Sequence, residues 1–472
     1  MTDLREFIEK TKELGELKVI EGANWDQEIG AITTLAARSA SRPALLFDQI
    51  RGYNAGYRLF TVPDSTEKRI ALVFGLAPEL SRLEIVRSLR DKLNEPLELV
   101  PPEEVKDGPI MENVHVGEEV DLFEFPAPRW MPRDGGRYIG TGDNVITRDP
   151  DEGWVNVGTY RVEIHDKATA TVYFDPGKHA DMIRRKYWSK GQGCPTVVTC
   201  GQDPLLVQIG AMRLPWGMPE YSYAGWWRKE PVKVIRGPTT GLPIPADAEI
   251  ALEGEMVPPD VDTRLEGPFA EWTGHYSPAK PEAAFKVKCI LHRDDPIILG
   301  VLPFLGFGVP YSYRRLWAAR VWSVLDKLIP GVTGVFMLDE LEHTALVISL
   351  RQQYGGHAKQ AALAAIGCQS YDVKYVVVVD EDIDPSNVRE VLWALALRGN
   401  PEEFDTVRGT WCCALNPLLS PQKREVGDIT SSAAIITACR PYHWIKDFPP
   451  LVLIPPEVRE NVEAKWGGAW LD

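Results

Sequence analysis

The chain has 472 residues, with 52 Lys+Arg against 67 Asp+Glu and a formal charge of −15. That length suits two or three domains, and the acidic balance argues against nucleic acid or an anionic membrane as partner, so an anionic substrate would need a local basic anchor. No apolar run reaches the ~18 residues of a membrane span, and the charged start from Met1 to Glu9 has no signal-peptide core, so a cytoplasmic location is expected.

Residues 1–112 alternate helices and strands. Leu4, Phe7, Ile8 and Leu14 make a helical stripe, Leu45-Leu46-Phe47 and Arg58–Val62 predict strands, and Glu79–Asn94 predicts a second amphipathic helix. Pro101–Pro109 reads as a linker. Over 113–314 short strands alternate with Gly and Pro (Trp154–His165, Thr169–Phe174, Thr196–Cys200, Ala284–His292), as in a β-barrel or sandwich. The one clear helix there is Lys178–Ser189, after the Asp175-Pro-Gly turn. Residues 315–472 read as α/β: helix Leu316–Leu328, strands Val332–Leu338 and Ala345–Leu350, then a helix near His357–Ile366. Val373–Val379 is apolar on both faces, as a central strand should be, and Asp384-Pro-Ser-Asn387 opens another helix. The fold class expected is α/β (α+β) in three domains, 1–112, 113–314 and 315–472.

Familiar signatures are missing. There is no Gly-x-Gly-x-x-Gly after a strand, Walker loop, His-Glu-x-x-His or Gly-x-Ser-x-Gly. The seven scattered cysteines include no Cys-x-x-Cys and read as reduced, mostly buried thiols. Nor do the eight histidines include a close pair of metal spacing. An active site here must be assembled from distant segments.

Four places stand out. In Trp154–His165 the apolar parity switches across Gly158. A bulge there would absorb one residue and set Asn156 and Arg161 on one face. Read alone, this strand favours a solvated Arg161 paired with Glu163 or Glu152. In Leu265–Tyr276, Glu266 and Glu271 bracket a Gly-Pro step among aromatics. Paired carboxylates in an apolar setting raise one another's pKa, and one can then donate a proton near neutral pH. His179 falls in the first turn of a helix, a common place for a surface histidine. Glu220 is acidic amid aromatic neighbours. Asn, His and Glu together would suit an octahedral Mn²⁺ or Mg²⁺ completed by phosphate oxygens.

In order, the pieces are Asn156-x4-Arg161, His179, Pro219-Glu-Tyr-Ser-Tyr-Ala-Gly225, Glu266-Gly-Pro-Phe-Ala-Glu271 and Tyr375–Pro385. That series resembles the UbiD family of reversible decarboxylases, which use prenylated flavin mononucleotide, over nearly the whole chain. The resemblance implies that Asn156, His179 and Glu220 ligate Mn²⁺ (or Mg²⁺) bridging to the cofactor phosphate. It implies a neighbouring K⁺ on the carbonyls of Val157, Ala211 and Met212, and Lys374 reaching the phosphate. Arg161, Glu266 and Glu271 match the catalytic Glu–Arg–Glu network, in which Arg161 anchors the substrate carboxylate, Glu266 orients Arg161 and Glu271 delivers the proton. The middle domain would then be a split β-barrel-like flavin domain and the C-terminal one a site of homodimer or hexamer assembly.

The chain departs from the ferulic-acid type at Gly210-Ala-Met-Arg213, at Lys178 and at Asn416-Pro-Leu418. On a looser alignment Phe307, Asn416 and Leu418 border the substrate ring. The implied reaction is loss of CO₂ from an aromatic, heteroaromatic or α,β-unsaturated acid, with a flavin prenyltransferase supplying the cofactor. The alternatives are a catalytically silent flavin-binding scaffold and an ordinary redox flavoprotein.

Overall fold

The computed structural model describes residues 3–306, 308–368 and 372–467. The first helix, Leu4–Glu13, is capped by Asp3, whose carboxylate accepts the Glu6 N–H at 2.7 Å. It buries Leu4, Phe7 and Ile8. Beside it lies a four-stranded sheet in the order Leu17–Glu21, Ala44–Asp48, Arg58–Thr61, Ile297–Gly300. The last strand comes from some 240 residues further along the sequence and runs parallel to Arg58–Thr61. Helix Arg82–Asn94 begins three residues later than the periodicity suggested, because Ser81 and Glu84 form a reciprocal capping box. Helices Glu28–Arg38 and Glu67–Phe74 complete this part.

The middle sheet is antiparallel, in the order Arg137–Gly140, Val162–Asp166, Thr169–Val172, Lys280–His292, Ile250–Met256, Cys194–Cys200, Asp143–Arg148, Val155–Gly158. Strands Asn113–Val116 and Thr263–Glu266 also pair with Lys280–His292. Here the expectation of one bulged strand over 154–165 is corrected. The chain leaves the sheet after Gly158, at one edge, and re-enters at Val162, next to the other edge. Laid flat, those two strands would be six spacings, about 29 Å, apart, yet the four-residue step from 158 to 162 can span only about 14 Å. The sheet must therefore curl into a half-barrel, with Thr159-Tyr160-Arg161 across its opening. Two helices that sequence reading passed over, Pro204–Ala211 and Glu220–Arg228, pack beside that opening strand.

The third sheet runs Val332–Met337, Ala345–Leu350, Tyr375–Asp380, Thr430–Ala438, Asp405–Trp411. Its central strand is parallel to both neighbours and buries Val376–Val379. Helix Val388–Arg398 follows, capped by Asn387 rather than Asp384. Helix Ser312–Leu328 packs on Arg82–Asn94. Its buried Arg315 bonds both Asp339 and Glu67, tying the first and third sheets' helices together. Helix Pro456–Trp466 buries none of its residues. Among the described residues no helix is long and apolar enough to cross a membrane.

Candidate active site

The half-barrel opening forms one wall of a cavity of about 790 Å³, within the range of small-molecule and cofactor sites. The opposite wall comes from the third sheet's side, including His343, Trp411 and Leu415. A smaller cavity of about 200 Å³ adjoins it, sharing Thr159, Tyr160 and Leu415 and adding Arg161, Phe269 and Glu271.

Arg161 is only 8% exposed, and Glu266 and Glu271 are buried with it. Its guanidinium forks onto Glu266, with Nε to Oε1 at 2.7 Å and Nη2 to Oε2 at 2.8 Å. Nη1 donates to Glu271 Oε1, and Nη2 also donates to Ser277 Oγ at 3.1 Å. The two carboxylates are thus separated by a cation rather than paired with each other. The guanidinium carbon lies 3.8 Å from the centre of the Tyr173 ring. Burial alone would loosen the Arg161 proton, but the Glu266 hydrogen bonds and the Glu271 charge outweigh it and hold its pKa above the ordinary value. Burial raises the Glu271 pKa against the opposing pull of Arg161, with Asp175 and Glu266 adding to the rise. Glu271 is accordingly a carboxyl that tends to keep a proton, chiefly through desolvation.

Sequence reading missed the groups that hold this triad. Glu163 is not the solvated partner of Arg161: its carboxylate accepts the Gly267 N–H at 2.7 Å and the Tyr138 hydroxyl at 3.2 Å. Burial pushes its pKa up to about 7. Gly267 needs its positive φ of 79° at this turn, and Gly135 must lack a side chain because a Cβ there would meet the Gly267 carbonyl at 2.2 Å. Ser277 Oγ accepts from Phe269 N as well as from Arg161. Asp134 accepts from Ala270 N at 3.0 Å. Such contacts join segments distant in sequence, so no local pattern announced them.

Asn156, His179 and Glu220 all line the large cavity. Asn156 sits on the edge strand opposite Thr147, and its buried Oδ1 makes no hydrogen bond among the described residues. His179 is the first residue of helix His179–Trp188 and packs edge-on between the Trp154 and Trp216 rings. Glu220 opens helix Glu220–Arg228, where the helix dipole favours an anion. It accepts the Val157 N–H at 2.8 Å and forms no ion pair among the described residues. Burial pushes its pKa up to about 8. An orphaned amide oxygen, an imidazole and an unneutralised buried carboxylate fit a hard divalent cation. Val157, Ala211 and Met212 border the same space.

The remaining expectations divide. Lys374 is not among the residues lining the cavity, and its Nζ donates to Asn416 Oδ1 at 3.1 Å. Lys178, Arg213 and Arg320 line the cavity instead. Asn416 is buried behind the wall. Leu418 is corrected as a pocket residue: it is 77% exposed, and Leu415 supplies the apolar wall. The turn made by Leu419 N to Asn416 O throws residue 418 outward. Phe307 lies outside the described residues.

Three family models match the chain: the N-terminal domain of 3-octaprenyl-4-hydroxybenzoate carboxy-lyase over residues 8–92, its Rift-related domain over 103–304 and its C-terminal domain over 314–438. A pyrrole-2-carboxylic acid decarboxylase of Pseudomonas aeruginosa is 32% identical, covering 84% of this chain and 83% of that protein. A phenolic acid decarboxylase of Streptomyces sp. strain D7 is 30% identical, covering 85% of each. Among solved structures, the UbiD-class enzyme HmfF of Pelotomaculum thermopropionicum in complex with FMN superposes with a TM-score of 0.83 at 25% identity, over 96% of this chain and 97% of that one. An evolved dimeric form of it in complex with prFMN gives a TM-score of 0.80 at 24% identity, over the same shares.

Proposed function

The chain belongs to the UbiD family of carboxy-lyases, and on that premise we propose that it decarboxylates an aromatic or heteroaromatic acid, reversibly and without net oxidation, on bound prenylated flavin mononucleotide. One observation carries the reading: Arg161 is buried between Glu266 and Glu271 where two cavities meet. The relatives named as decarboxylases of pyrrole-2-carboxylic and phenolic acids support that substrate class.

When bound, the prenylated flavin supplies the electron sink that side chains lack when CO₂ leaves an sp² carbon. The chain's own groups bind, orient and protonate. Arg161 has five N–H groups, of which four are used by Glu266, Ser277 and Glu271. The remaining one on Nη1 is available to a substrate carboxylate, with the Glu266 fork fixing its direction. Glu271, which burial keeps prone to protonation, holds the proton destined for the carbon that CO₂ vacates. Phe269, Tyr173 and Leu415 give the smaller cavity aromatic and apolar walls that exclude water.

Asn156, His179 and Glu220 would hold Mn²⁺ (or Mg²⁺) against the cofactor phosphate, and the carbonyls of Val157, Ala211 and Met212 would take K⁺. Lys178, Arg213 and Arg320 bring the positive charge a phosphate needs in an acidic protein, while Lys374 bonds Asn416 behind the wall. The exposed stretch Leu451–Ile454 and the helix after it offer apolar surface for assembly with a second copy.

The test is to co-express the chain with a flavin prenyltransferase and screen pyrrole-, furan- and hydroxybenzene-carboxylic acids for CO₂ release, and their decarboxylated products for ¹³CO₂ exchange. Turnover that depends on the prenyltransferase supports the reading. Flavin bound without CO₂ release from any of these acids would move the chain to the scaffold class, and NAD(P)H consumption would make it a redox flavoprotein.

A further inference from the structure

A second group of ligand-bearing side chains sits on the middle sheet, and none of them lines either cavity. The antiparallel pairing of Asn113–Val116 with Lys280–His292 sets His115 opposite Ile290. His292, two residues along the same face, is then a diagonal neighbour of His115, and the two rings meet edge to face at 5.2 Å. The histidines are 177 residues apart, which is why no spacing in the sequence announces them. The short 3₁₀ turn Leu122–Glu124 completes the group. Glu124 lies 3.2 Å from His115 Nδ1 and 3.8 Å from His292 Nε2. One ligand atom from each residue falls within 4.8 Å of the other two.

The state of His292 turns this proximity into an argument. Its Nδ1 lies 2.8 Å from the Arg293 carbonyl oxygen, which can only accept, so Nδ1 carries the proton and Nε2 presents a lone pair. His292 is 3% exposed, and Nε2 makes no hydrogen bond among the described residues. A lone pair facing a carboxylate oxygen across 3.8 Å is repulsive unless a cation lies between them. Glu124 is itself oriented by the Tyr57 hydroxyl, which donates to Oε1 at 2.8 Å. A ligating imidazole tied to a carbonyl and a ligating carboxylate tied to a donor are the outer contacts that metal sites use to aim their ligands.

We propose that His115, Glu124 and His292 bind a divalent transition-metal ion of the zinc class. Two imidazole nitrogens and one carboxylate oxygen suit Zn²⁺, whereas Mg²⁺ and Ca²⁺ prefer oxygen alone. Bonds of about 2.0–2.1 Å place tetrahedral ligand atoms about 3.4 Å apart, and the closest approaches present are 3.2 Å from His115 Nδ1 to Glu124 Oε2 and 3.8 Å from His292 Nε2 to Glu124 Oε1. Water would fill the fourth position. The ion fastens the segment entering the middle sheet to its longest strand, beside Tyr57 of the first sheet's chain, and its role is structural.

The test uses full-length protein stripped with a chelator and titrated with Zn²⁺, then with Co²⁺ as a spectroscopic probe. Wild type takes up one equivalent more than His115→Gln, and the Zn²⁺ affinity of that step falls at least ~100-fold in the variant. Wild type also gains a visible Co²⁺ band of low-coordinate type that His115→Gln lacks. His115 is partly exposed, so this variant folds even where His292→Gln does not. Glu124→Gln reports the same loss independently. Glu220→Gln, altered at the cavity, keeps the equivalent. Equal stoichiometry and equal Co²⁺ spectra in wild type, His115→Gln and Glu124→Gln would overturn the proposal without touching the decarboxylase reading.

Discussion

Replacing Glu271 by Gln separates the proton-donating role from the structural one. The guanidinium keeps its fork to Glu266, at 2.7 and 2.8 Å, and its bond to Ser277. The Gln carbonyl can still accept from Nη1, and burial already favours the neutral form of residue 271. The fold should therefore lose no more than about 1 kcal/mol, the net worth of one weakened hydrogen bond. Turnover should fall about 10²- to 10⁴-fold, the usual contribution of a positioned acid, equivalent to roughly 3–5 kcal/mol of barrier. Glu266→Gln should behave in the opposite sense. It strips a buried cation of its two-pronged anion, and breaking such a pair costs about 3–5 kcal/mol. Single-turnover CO₂ release from cofactor-loaded protein, flavin absorbance and thermal unfolding read the two effects separately. A Glu271→Gln enzyme within threefold of wild type would refute the proton-donor assignment. A Glu266→Gln protein as stable as wild type would refute the claim that this fork neutralises Arg161.

Three further outcomes are expected. Ser277→Ala removes an acceptor shared by Arg161 and Phe269 N, worth about 1 kcal/mol. The loss should appear as a several-fold drop in kcat/KM with flavin content unchanged, checked by steady-state kinetics. Asn156→Ala and His179→Ala should each lower co-purified Mn²⁺ and flavin at least ~10-fold, read by elemental analysis and absorbance, and chelation of wild type should imitate them. Glu163 gives a pH signature. Its folded pKa, about 7, exceeds the ordinary 4.5, so the native state holds more protons than the unfolded one in that window. Its contribution is complete below about pH 4.5 and disappears as pH rises through about 7. The loss is on the order of 3 kcal/mol, and denaturant titrations across pH should find that slope removed in Glu163→Gln.

Much of the molecule could be read before any coordinates. Strand and helix positions between 316 and 398 followed from runs such as Val376–Val379, whose two-sided burial suits a central strand, whereas the strands Asp405–Trp411 and Thr430–Ala438 were not read. Glu266 and Glu271 are conspicuous as charges among aromatics, but Arg161 read alone favoured a solvated ion pair, and only the family resemblance joined the three. Topology was harder. The parity switch at Gly158 suggested a bulge, but the same pattern arises when the chain quits one edge and resumes beside the other, and local alternation cannot distinguish the two. Helices Pro204–Ala211 and Glu220–Arg228 escaped notice because they are buried almost all round and lack a polar stripe. Leu418 was misplaced for a related reason: a one-turn reversal moves a side chain from cavity to solvent without changing composition. Glu163 and the His115–His292 pair depended on cross-strand register, which a linear reading does not contain.

The strand Ile297–Gly300 completes the N-terminal sheet although it follows the half-barrel in sequence. A chimaera that grafts the catalytic middle of one relative onto the flanks of another inherits that strand with the graft. Its match to Arg58–Thr61 then decides whether the hybrid closes its first sheet or leaves an unprotected edge open to other chains. Recombination points for engineering new acid preferences therefore belong on the far side of Gly300, with the partner strand carried along.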